Sequence, residues 1–137
     1  MANIVLVNPL TMIGGVPLRA AGLIAASAAE TGVQIRSTQF TVYAAWTACE
    51  IDTGNEIYMV TVEGQNAAGT WVNLGVLMVL GATAAIGEGD APATGSVKAS
   101  FNNPYGGLVR IHTWVKGTIA TGLNFSASAF PIANLAY

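Results

Sequence analysis

Side chains able to do acid–base, nucleophilic or metal chemistry are sparse in this chain: one His, one Cys, seven carboxylates and five Lys or Arg in 137 residues. Catalysis needs such groups to converge on one place. The densest acidic group is Glu50, Asp52 and Glu56, with Asn55 among them. Their oxygens suit a hard cation such as calcium, but the spacing is not that of an EF-hand loop, and Asp52-Thr53-Gly54-Asn55 is a turn-forming sequence in its own right. Glu88 and Asp90, within Gly87-Glu88-Gly89-Asp90, admit the same two readings, cation ligands or a solvated loop. The sequence leads us to expect no metal and no cofactor.

The single histidine sits in Leu108-Val109-Arg110-Ile111-His112-Thr113-Trp114-Val115-Lys116. Strand alternation places Val109, Ile111 and Val115 on one face and Arg110, His112, Trp114 and Lys116 on the other. The first face reads as core. No nucleophile stands at motif spacing from His112, so no enzymatic activity is expected. The second face joins a basic ladder to a large aromatic, the composition of a protein-binding surface, because Trp and Arg dominate hot spots. An exposed β face with cross-strand Trp packing is the alternative, against which stands the cost of leaving Trp114 in water. Arg110, His112 and Trp114 are therefore the expected contact face, and Tyr105 with Asn102 and Asn103 an expected loop contact. Cys49 has no partner for an intramolecular disulfide and no ligand companion at zinc spacing, so it reads as a small buried hydrophobe. Asn124-Phe125-Ser126 fits a glycosylation acceptor, but residues 1–15 hold no Lys or Arg and do not resemble a secretory signal. Ile13-Gly14-Gly15 lacks the strand-to-helix context of a phosphate loop.

Composition narrows the classes further. Charged residues are 9% and apolar residues 53% of the chain, against roughly a quarter charged in ordinary soluble domains. Disorder is excluded, and so few cations cannot form a nucleic-acid-binding patch. The best apolar runs, residues 4–7 and 76–80, are far short of a membrane-spanning helix. A chain this apolar and weakly charged is expected to cover part of its surface with protein. Its length fits one domain with a real core.

From Gln39 onward, period-2 stretches of Val, Ile, Thr and aromatics recur between Gly, Asn, Asp and Pro clusters, the all-β pattern. Phe40, Val42, Ala44 and Trp46 share one face, and Tyr58, Val60 and Val62 share another. These two strands are expected to pair as a hairpin across Asp52-Thr53-Gly54-Asn55, and residues 66–69 to make the next turn. Residues 71–80 are apolar on both faces, as for a central or doubly covered strand. A long loop over residues 82–92 and strands over 96–101, 108–116 and 123–131 complete the pattern. Residues 20–30 have helix propensity, but Gly22 and the lack of an amphipathic stripe favour an extended arm over residues 1–19, then one or two strands through 23–26 and 33–37. The total of about eight antiparallel strands suits an all-β jelly-roll-like β-sandwich, residues 20–137, preceded by an extended N-terminal arm.

Asp52-Thr53-Gly54-Asn55-Glu56, Trp71-Val72-Asn73-Leu74-Gly75, Leu108-Val109-Arg110-Ile111-His112 and Gly117-Thr118-Ile119-Ala120-Thr121-Gly122-Leu123-Asn124-Phe125-Ser126-Ala127 together resemble the small capsid cement, or decoration, proteins of tailed bacteriophages. The resemblance covers about residues 20–132. It implies a jelly-roll domain on the outer surface of the mature head, made in the host cytoplasm. Such a protein bridges neighbouring major capsid protein subunits, often as a dimer or trimer, and has no nucleic-acid or membrane partner. The apolar, uncharged arm is a candidate to add reach on contact with the capsid. A second reading is a carbohydrate-binding module of a phage fibre or surface protein, with Trp46, Trp71, Trp114 and Tyr105 stacking on sugar rings. A planar exposed row of these aromatics would favour sugar, and a broad apolar rim would favour protein.

Overall fold

The computed structural model describes residues 15–82 and 90–132. Within them the chain forms β1 (Val16–Ile24), β2 (Ala28–Ala29), β3 (Val33–Gln34), β4 (Gln39–Cys49), β5 (Ile57–Gln65), β6 (Trp71–Gly81), β7 (Gly95–Asn102), β8 (Leu108–Lys116) and β9 (Leu123–Pro131), and no helix. The last three strands fall where the alternation places them. The short helix considered over residues 20–30 gives way to β1 and β2. Residues 16–19, expected in the arm, belong to β1. Arg19 is fixed there by Glu30 (Nε to Oε2, 2.9 Å) and by the Phe125 carbonyl (2.6 Å). The rest of the expected arm, residues 1–14, lies outside the described residues, as does most of the expected 82–92 loop, including Glu88.

All pairings are antiparallel and form two sheets, one ordered β1-β9-β4-β7 and the other β2-β8-β5-β6, with β3 also on β8. The order follows from folding the chain back on itself between β5 and β6. Each strand then meets its mirror: β5 with β6, β4 with β7, β2 and β3 with β8, and β1 with β9. Rolling this long hairpin adds β4–β9 and β5–β8 and closes a jelly-roll sandwich. The core is the layer between the sheets, where Phe40, Val42, Tyr58, Val60, Val62, Val109, Ile111, Leu123 and Phe125 are buried. Apolar burial at these alternating positions is what fixes each strand's register, since a one-residue slip would turn every one of them outward.

Two expectations are corrected. β4 and β5 do not form a hairpin; they lie in opposite sheets, with Phe40, Val42 and Ala44 facing the core from one and Tyr58, Val60 and Val62 from the other. Alternation marks a buried face but not the neighbouring strand, and residues 50–56 are long enough to cross between sheets about 10 Å apart. Strand β6 is an edge strand rather than a central one. Its register against β5 skips Leu77 and Leu74, so the bulges bring Leu77 and Met78 inward together and leave Val76 and Val79 outside. That is why the stretch looked apolar on both faces. The turn over residues 66–69 stands where expected. Asn66 Oδ1 accepts from Ala68 N and Thr70 N, and Gly69 takes a left-handed φ of 84° that a β-carbon would oppose.

Candidate protein-binding face

The outer face of the β2-β8-β5-β6 sheet gathers the side chains with the most to offer a partner. Register sets them in rows across β8, β5 and β6. Trp114 lies beside Met59 and Met59 beside Val79, His112 beside Thr61 and Thr61 beside Val76, and Arg110 beside Glu63 and Glu63 beside Asn73. Trp114, Val76 and Val79 are 41%, 48% and 46% exposed, a contiguous apolar end of the face.

The other end is polar and internally paired. Glu63 accepts from Arg110 Nε at 2.7 Å through one oxygen and from His112 Nδ1 at 3.1 Å through the other. A carboxylate only accepts, so the shared hydrogen sits on Nδ1. The Arg110 guanidinium also lies 4.2 Å from the centroid of the Trp71 ring, a cation–π contact. The His112 ring stacks on Trp114 at 3.8 Å between centroids, with planes 15° apart. Trp114 Nε1 donates to Thr61 Oγ1 at 3.1 Å, and that hydroxyl donates to the His112 carbonyl at 3.3 Å. The aromatic is thus held in one orientation, so covering its exposed face would order little further.

The structure brings Arg110, His112 and Trp114 together, as alternation along one strand requires, and disperses the expected loop contacts. Asn102 ends β7 on the other sheet. Asn103 is only 2% exposed: its N–H donates to the Thr38 carbonyl, its Nδ2 to the Gly107 carbonyl, and its Oδ1 accepts from Tyr105 N. It builds the turn into β8 and is no surface contact. Tyr105 is exposed in that turn, apart from the β8 residues. Sequence reading missed Met59, Thr61, Glu63, Val76 and Val79. The alternation of Tyr58, Val60 and Val62 already set Met59, Thr61 and Glu63 on the opposite face, but only the β5–β8 pairing shows which residues they meet.

The acidic group has a structural task. Oxygens of Glu50, Asp52 and Glu56 lie within 4.8 Å of one another. Glu50 accepts from Ala120 N, Thr121 N and Gly122 N, clasping the β8–β9 loop. These amide hydrogen bonds, Gly122 foremost, lower its pKa. Glu56 accepts from the Thr53 hydroxyl at 2.6 Å and from Thr53 N and Gly54 N. Its burial alone would raise the pKa, but the hydrogen bonds outweigh it and hold the group at about 2. Asp52 moves the other way, raised by desolvation and then by the Glu50 charge. Cys49 is half-buried, its thiol pushed up to about 11 by burial first and the Glu56 charge second, which keeps it protonated and inert.

The aromatics expected to stack on sugar do not form a row. Trp46 is in the core, with Nε1 donating to the Pro92 carbonyl at 2.9 Å, and Trp71 is half-buried beneath Arg110. Compared with known proteins, the chain matches no family model and none of the curated proteins.

Proposed function

We propose that this chain is a structural protein that docks on a preformed protein lattice, in the manner of a capsid cement protein on the outside of a mature phage head, and bridges neighbouring major capsid protein subunits. The observation that carries the reading is the row Trp114, half-buried Met59 and Val79, exposed at Trp114 and Val79, with exposed Val76, set beside a paired Glu63–Arg110–His112 cluster. Covering the apolar row supplies the driving force. Because Arg110 is already paired with Glu63 at 2.7 Å, desolvating that end costs less than burying a lone charge. Many copies on one shell add avidity, and a contact made only with the expanded lattice stabilises that state by mass action, with no covalent chemistry.

The scattering of the aromatics supports a protein partner over a glycan. The test is cosedimentation of the purified protein with expanded phage heads stripped of it, titrated to saturation, with unexpanded proheads as control. Saturable binding to expanded heads alone is the expected result. Absence of binding to both would overturn the reading.

A further inference from the structure

Each edge strand of a sandwich carries unpaired backbone groups that must be guarded or used. β1 is guarded by Pro17 and two register shifts, and β2 and β3 are two residues each. β6 carries two register shifts, with Asn73 Oδ1 capping Gly75 N. β7 differs: it pairs with β4 from Gly95 to Asn102 without a register shift or a proline, and Lys98 is its single charge. Asn103 N donates to the Thr38 carbonyl and Ile132 N to the Gln39 carbonyl, which sets the phase of the β4 ladders. Over residues 39–46, even-numbered residues of β4 bond to β7 and odd-numbered ones to β9; the β4–β9 bulge at Trp46/Ala48 lies beyond the span that pairs with β7. In β7, Gly95, Val97, Ala99 and Phe101 therefore bond to β4. The N–H and C=O of Ser96, Lys98, Ser100 and Asn102 point out of the sheet, and no described residue bonds to them.

We propose that this edge of β7 pairs antiparallel with β7 of a second copy of the chain about a two-fold axis, joining the two β1-β9-β4-β7 sheets into one. An axis at Ala99 sets Lys98 opposite Ser100 of the second copy and Ser96 opposite its Asn102. Every free N–H and C=O of these residues is then used, and the two lysines stay out of register. Apart from Lys98, the face around the seam is uncharged: Thr41, Tyr43 and Ala45 on β4, and Ser126 and Ser128 on β9, point outward beside it. No carboxylate stands among the described outward residues of β4, β7 and β9 to repel a copy of itself. The pairing leaves the Trp114 face free on both copies, so the dimer is bivalent. The inference rests on β7 alone and stands whether or not the docking reading holds.

Sedimentation velocity of the full chain over a concentration series tests it, together with amide exchange. The wild type is expected to dimerise reversibly, with the Ser96, Lys98, Ser100 and Asn102 amides slow to exchange when concentrated and fast when dilute. Ser100→Lys places a cation opposite Lys98 at both symmetry-related positions and weakens the dimer about tenfold, whereas Ser100→Glu tightens it by a similar factor. Ser100 is exposed, and thermal unfolding of both variants, recorded at a dilution where the chain is monomeric, is expected to match the wild type. A monomer at every concentration would overturn the proposal. So would a dimer whose β7 edge amides exchange fast, or one indifferent to both substitutions, which would place the seam elsewhere. The exchange measurement needs no variant.

Discussion

Replacing Trp114 by Ala separates what the ring does for the fold from what it would do in the proposed docking. The residue is 41% exposed, and a Trp side chain presents roughly 250 Å², so about 100 Å² is left for a partner to cover. At about 25 cal/mol per Å² this is about 2.5 kcal/mol, or about 60-fold in Kd. The buried part, roughly 150 Å², stacks on His112 and donates to Thr61 Oγ1, and losing it costs the fold about 3–4 kcal/mol, a fall of about 9–12 °C in Tm. Binding to stripped, expanded heads is titrated at a temperature well below both transitions, and thermal unfolding is recorded on the same samples. Tyr43→Ala is the matched control: that side chain is 44% exposed but lies on the opposite sheet, and its loss is expected to leave head binding unchanged. If Trp114→Ala lowers Tm as expected yet binds within threefold of wild type, or if Tyr43→Ala is the more damaging change, the face has been misassigned.

Two further outcomes follow from the interior. The Thr113 hydroxyl is fully buried with no hydrogen-bond partner among the described residues, so Thr113→Val is expected to stabilise the protein by about 1 kcal/mol and raise Tm by about 3 °C, read by differential scanning calorimetry. Glu56 has its pKa depressed to about 2, so the folded state binds fewer protons than the unfolded chain at acidic pH. Its stabilisation is complete above the ordinary carboxylate range and drains away as pH falls from about 5 towards about 2. Urea midpoints measured from pH 7 to pH 3 should fall steadily for the wild type, whereas Glu56→Gln should start lower at pH 7 and change less.

Most of the sandwich was legible in the sequence because burial leaves a period-2 mark. The strands at 108–116 and 123–131 were bounded by Gly117 and Gly122, both of which adopt positive φ in the structure. What alternation does not encode is adjacency. The β4 and β5 patterns are equally consistent with side-by-side and face-to-face packing, and the crossover at residues 50–56 carries the same Asp, Gly and Asn that a hairpin would. The bulges in β6 defeated the reading for a related reason: one inserted residue moves every later side chain to the other face, and Leu74 and Leu77 carry no local sign that they are the insertions. The candidate face was half visible. Arg110, His112 and Trp114 lie on one strand and follow from its alternation, whereas Glu63, Met59 and Val79 join them only through long-range pairing. Asn103 was misread because a polar residue in a turn looks the same whether it faces water or satisfies buried backbone groups.

The central claim is that the outer face of the β2-β8-β5-β6 sheet is the surface that meets a protein lattice. Oxidative footprinting of the protein free and bound to expanded heads tests it most directly, because Met59 and Trp114 report on that face and Tyr43 on the opposite one. Strong protection of Met59 and Trp114 in the bound state, with Tyr43 labelled as before, is the expected result. Protection of Tyr43 with Met59 and Trp114 left reactive would contradict it.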